Sequence, residues 1–127
     1  MKEYLNKGAF WEGLNDQTRI ACYNGMGAEW MSETSREILD FLFSVLDDAV
    51  RIHDVDYCYA TKTQYFWHKA NENMRDNMIL LAKREIPWYR WFKYRRFVKV
   101  WIPILFKCVE SSGGWSAFKT AHPPTIH

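Results

Sequence analysis

The sequence predicts an all-α domain, and three observations carry that prediction. Apolar residues recur at three- and four-residue steps over long stretches. No stretch of useful length alternates with the two-residue period of a strand. Helix start and stop signals bracket the periodic runs. The expected arrangement is a single compact domain over residues 1–127. Two antiparallel core helices carry a His–Asp pair, and a glycine-containing N-terminal loop precedes them. No internal repeat or linker-like composition divides the chain.

Taken in order, residues 1–19 are irregular. Gly8, Gly13 and Asn15 punctuate them, and Phe10, Trp11 and Leu14 offer anchors for a loop or short helix lying over the core. Tyr23-Asn24-Gly25-Met26-Gly27 places two glycines one residue apart, a spacing that permits unusual backbone angles and most often serves an ordinary turn. Thr34-Ser35-Arg36-Glu37 fits a capping box, and Ile38, Leu39, Leu42, Val45 and Leu46 follow with helical period. Asp47-Asp48 suit a new first turn, so the next helix is expected from about Asp48 to Lys62, with Ala49, Ile52, His53, Tyr57 and Ala60 along one stripe. A third helix is expected from about Gln64 to Glu85, its core face formed by Phe66, Ala70, Met74, Met78 and Leu81. Pro87 disfavours helix at Ile86 and sets that boundary. A fourth helix follows, kinked at Pro103 and ended by Ser111-Ser112-Gly113-Gly114, and residues 121–127 read as a frayed tail.

Composition narrows the function classes. With 127 residues, 48% of them hydrophobic and 17% aromatic, the chain is long and apolar enough for a core of its own. A net charge of +2 does not make the whole molecule a polyanion binder. Cys22, Cys58 and Cys108 are odd in number and far apart, which favours free thiols over a disulfide framework or a zinc site. The first residues lack the apolar core of a secretory signal. The apolar run from Val100 to Phe106 is too short to span a bilayer. The expected location is the host cytoplasm or a virion.

The chemistry-bearing stretch is His53-Asp54-Val55-Asp56-Tyr57. On a helix His53 and Tyr57 share a face, and Asp54 points about 100° away. One group can then act as a base toward water while the other holds a cation beside it. A neutral imidazole needs a partner to fix its tautomer. A hard cation wants several oxygens, commonly a carboxylate with backbone carbonyls. By itself such a pair is more often structural than catalytic.

The ordered set Tyr23-x-Gly25-x-Gly27, His53-Asp54-x-x-Tyr57 and Ala70-Asn71-x-x-Met74 resembles the phospholipase A2 superfamily, in particular its disulfide-poor branch in viral capsid proteins and small phage and bacterial proteins. The likeness covers roughly residues 23–78, with fainter echoes at Ser112-Gly113-Gly114. It implies calcium-dependent hydrolysis of phospholipid esters. His53 would be the base that activates water, and Tyr57 would brace the network. Asp54, with backbone carbonyls of Tyr23, Gly25 and Gly27, would hold Ca2+. The family has an aspartate where this chain has Asn71. Asparagine can accept a hydrogen bond from His53 Nδ1–H but brings no charge. In serine proteases the corresponding amide exchange lowers turnover by about 10⁴. Asp76 or Asp56 could replace it only with a different helix phase.

Trp88-Tyr89-Arg90-Trp91-Phe92-Lys93-Tyr94-Arg95-Arg96-Phe97 interleaves cations with rings. Three readings stay open: a core helix with rings inward and snorkelling cations, a membrane-surface strip, and, least favoured, a nucleic-acid strip. His68, His122 and His127 show no ligand spacing and are taken as surface residues. The leading expectation is a phospholipase A2-like hydrolase acting at a phospholipid or membrane surface. The alternative is a catalytically impaired binding or structural protein with the same fold, associated with virion components.

Overall fold

The computed structural model describes residues 2–22 and 46–124, and these residues form helices and loops without a strand. The all-α class therefore holds for the described residues. Tyr23, Gly25 and Gly27, and nearly all of the helix expected over 34–46, lie outside them.

After a 3-10 turn at Trp11–Gly13, helix α1 runs Asp16–Cys22. Asn15 starts it, its side chain accepting from the Thr18 amide at 2.8 Å. The Arg19 guanidinium reaches back to the Trp11 carbonyl and lies over the Trp11 ring. Helix α2 spans Asp47–Tyr59, with Asp47 and Asp48 at its positive end and Asp47 paired to Arg51 at 2.6 Å. It stops three residues short of the expected Lys62, where Ala60 turns extended.

Helix α3, Gln64–Glu85, begins at the N-cap Thr63, closes with Lys83 and Arg84 in its last turn, and yields at Ile86 before Pro87. Its buried stripe contains Trp67, Ala70, Asn71, Met74, Asn77, Met78 and Leu81. Phe66, expected on the core face, is exposed, and Trp67 is buried in its place. The two rings are neighbours near a helix start, where apolar period alone does not choose between them. The indole N–H decides it, because it donates to the Val109 carbonyl at 3.1 Å.

A 3-10 turn at Trp88–Arg90 leads into α4 (Trp91–Arg96), a π-helical turn (Phe97–Trp101) and α5 (Ile102–Val109). Pro103 stands in the first turn of α5. The interruption expected there takes the form of the wide turn just before it, since proline has no N–H to give and crowds the carbonyl four residues back. Ser111 to Gly114 do end this helical run, but they also begin another, α6 (Ser112–Thr120), with Ser111 as its N-cap. Residues 121–124 carry no helix.

Helices α2 and α3 pack most extensively on each other, α5 packs on α3, α1 on α2, and α6 on α5. The main core joins Leu46, Ala49, Ile52 and Val55 to Met74, Met78 and Leu81 and to Ile102, Leu105 and Val109. A smaller cluster of Tyr57, Ala60, Trp67, Ala70 and Phe118 sits beside it. The N-terminal segment is strapped down by a side-chain amide. Asn77, fully buried, accepts from the Asn6 amide at 2.9 Å and donates to the Asn6 carbonyl at 2.8 Å.

Candidate functional site

The helical spacing of His53 and Tyr57 sets the geometry of the candidate site. One turn apart on α2, their rings lie 4.0 Å apart between centroids and face α3. There Asn71, fully buried, receives both. Tyr57 O–H donates to Asn71 Oδ1 at 2.7 Å, and His53 Nε2 lies 2.8 Å from the same oxygen. The Asn71 nitrogen Nδ2 donates to the Val109 carbonyl at 3.1 Å and to Glu110 Oε2 at 2.8 Å. All four hydrogen-bonding positions of the amide are therefore used.

This arrangement fixes the tautomer. Asn71 Oδ1 is an acceptor only, so the His53 nitrogen facing it carries the hydrogen and donates. In the neutral ring Nδ1 is then a bare lone pair. The expectation of a bond through Nδ1–H is corrected here: the contact is made by Nε2. Among the described residues, Nδ1 of His53 is the one buried side-chain nitrogen or oxygen without a hydrogen-bond partner. Burial pushes the imidazole down to about 4, only partly offset by the bond to Asn71, so the ring is neutral throughout the physiological range.

Asp54 is buried, and its charge is felt at the Cys22 thiol, which closes α1 one residue before Tyr23. Burial first, and then that charge, raise the Cys22 pKa; all three cysteines are free thiols. Asp56 does not take the place of the missing carboxylate. It points toward Gly8 and bonds Asn73, and burial raises it to about 7. Asp76 is also elsewhere, paired with Arg75 at the surface.

Three residues that the sequence did not single out belong to this neighbourhood. Glu110, just past the end of α5, contacts Asn71 and is itself held by His68 Nδ1 at 2.8 Å. Val109, the last residue of α5, has a carbonyl without a further helical turn to use it, and Trp67 and Asn71 both donate to it. Phe118 of α6 closes the far side, edge-on to Tyr57 at 5.1 Å.

The ring-inward reading of the basic aromatic stretch fails for its first half. Trp88, Tyr89 and Phe92 are 87%, 65% and 72% exposed, and Trp91 is exposed as well; Phe97 turns into the core, and Tyr94 packs half-buried against it. Among the described residues, no three His, Cys, Asp or Glu side chains converge as a metal-holding group, and no helix is long and apolar enough to cross a membrane. No protein-family model matches this chain, and no curated protein or solved structure does either.

Proposed function

We propose that this chain is a phospholipase A2-like hydrolase of phospholipid esters working at a membrane surface. One observation supports it above the rest: a buried, neutral histidine whose Nε2–H is held by Asn71 and whose Nδ1 lone pair has no protein partner. That is the state a general base needs before it meets water. In the proposed reaction, Nδ1 takes a proton from water as the water oxygen bonds to the sn-2 acyl carbon. The sn-2 carbon–oxygen bond then breaks, and the leaving alkoxide recovers that proton from the imidazolium. Tyr57 and Asn71 keep the ring from rotating. Asp54, with backbone carbonyls of Tyr23, Gly25 and Gly27, would hold Ca2+, oxygen donors of the kind that ion prefers, and the ion when bound would supply positive charge for the phosphate and the developing oxyanion. The exposed rings and cations from Trp88 to Lys99 are the bilayer-facing strip.

The test is fatty-acid release from mixed phosphatidylcholine and phosphatidylglycerol vesicles. Release should require calcium, stop with EDTA and fall by about 10²–10⁴ in His53→Gln. A folded protein that binds vesicles yet releases nothing would sink the catalytic reading. Asn71 favours the second reading, a binding or structural protein of a phage or virion that keeps the scaffold, because an amide gives an imidazolium no charge. Co-sedimentation with particles in the absence of turnover would support that one.

A further inference from the structure

The side-chain amide of Asn71 could in principle sit either way round. Turned as it is, its oxygen faces two donors, Tyr57 O–H and His53 Nε2–H, and its nitrogen faces two acceptors, the Val109 carbonyl and Glu110. Turned over, its oxygen would face those two acceptors, and His53 would have to accept from Nδ2 through Nε2. The ring hydrogen would then move to Nδ1. The Tyr57 hydroxyl is indifferent, since it can accept as well as donate. The Val109 carbonyl is already shared with the Trp67 indole. Glu110 brings a full negative charge to the nitrogen side, and charge-assisted bonds are the stronger kind. His68 Nδ1 contacts both of its oxygens at 2.8 Å and so holds the carboxylate in place.

We infer that Glu110 is a positioning residue: it sets which way round the Asn71 amide sits, and thereby keeps the His53 hydrogen on Nε2 and the lone pair on Nδ1. It contacts neither the ring nor any reacting atom. The consequence for turnover rests on the hydrolase reading above, but the orientation itself does not.

The experiment separates the two. In uniformly ¹⁵N-labelled protein, two-bond correlations from the ring carbons' hydrogens identify which nitrogen of His53 is protonated. Wild type should show hydrogen on Nε2. Glu110→Gln, which can still present an oxygen to Asn71, should keep that pattern. Glu110→Lys, which replaces the acceptor by a donor, should turn the amide and move the hydrogen to Nδ1. If vesicle hydrolysis is present, Glu110→Lys should lower it by about 10–100-fold, the usual effect of losing an outer partner, and Glu110→Gln should stay close to wild type. Hydrogen on Nδ1 in wild type, or hydrogen still on Nε2 in a folded Glu110→Lys, would overturn the inference. Should Glu110→Lys fail to fold, Glu110→Met, which removes the acceptor at similar length, takes its place: hydrogen appearing on Nδ1 supports the lock, and hydrogen remaining wholly on Nε2 overturns it. Failure of the hydrolase reading would appear only as absent fatty-acid release and would leave these spectra unchanged.

Discussion

Two buried titratable residues on α2 pull the pH dependence of stability in opposite directions. His53 has its pKa lowered from 6.5 to about 4 by burial. Between those values the unfolded chain binds a proton that the folded chain does not, so stability falls as pH drops through that window. Asp56 is raised from 3.8 to about 7 by burial, with Asn73 only partly offsetting it. Here the folded carboxyl keeps a proton that the unfolded chain has lost, so stability falls as pH rises through its window. The effects are on the order of 3 kcal/mol for His53 and on the order of 4 kcal/mol for Asp56, and they largely offset each other. With EDTA present, the urea midpoint of the wild type should vary little from pH 4.5 to 6.5. Asp56→Asn should become more stable as pH rises, and His53→Gln less stable. A flat profile for Asp56→Asn would contradict the assignment. The positions of His53 and Tyr57 on one face were legible, because helical spacing alone places them together. The contact of Glu110 with Asn71 was not, since it joins residues 39 apart and leaves no periodic trace in the chain.

At the scale of elements, the end of α5 and the start of α6 meet more closely than a side chain permits. A Cβ added to Gly114 would lie 2.0 Å from the Val109 oxygen and 2.5 Å from its carbon. Those are backbone atoms, which cannot swing away, and the same carbonyl receives Trp67 and Asn71. Gly114→Ala should therefore cost about 3 kcal/mol, the upper part of the range for overpacking, and should disturb the His53 ring signals. Gly113→Ala is the control. Its Cβ would meet only the Ser111 hydroxyl at 3.7 Å, so it should stabilise α6 by about 0.5–1 kcal/mol. Urea denaturation of both variants checks the contrast. The same pair of glycines explains why α6 escaped the sequence reading. Adjacent glycines signal a helix stop, and only the close approach of α5 gives the second one a reason to lie inside a helix. The long periodic runs of α2 and α3 had no such conflict between local preference and packing.

Across the whole molecule, charge is segregated. From Ile86 to Val109 the chain has six cations (Arg90, Lys93, Arg95, Arg96, Lys99 and Lys107) and no acidic residue. A stretch of +6 in a chain of net +2 leaves −4 for the remainder. Such a molecule should meet an anionic bilayer in one orientation, with Trp88, Tyr89 and Phe92 leading. Binding to vesicles rich in phosphatidylglycerol should weaken about fivefold for each of Arg90 or Arg95 replaced by glutamine, and should decline with salt. Replacing Trp88 and Phe92 by alanine should weaken binding with little change in that salt dependence. Sedimentation of vesicles at several ionic strengths measures both. Equal binding to neutral and anionic vesicles would argue against the orientation.

The hydrogen bonds around Asn71 also constrain what mutation can do at this position. An aspartate placed at position 71 alone would set a second carboxylate against Glu110 and an oxygen against the Val109 carbonyl, both now served by N–H groups. Like charges so close push one carboxyl to keep its proton, so Asn71→Asp should lose stability without gaining a charged partner for His53. Paired with Glu110→Gln, whose amide can donate, the aspartate becomes tolerable. A double-mutant cycle should therefore give a favourable coupling of about 1–3 kcal/mol between the two substitutions, read from urea midpoints. The change at residue 71 made first is a step downhill for the fold, and the passage between amide and carboxylate chemistry at this histidine opens only once residue 110 has given up its charge.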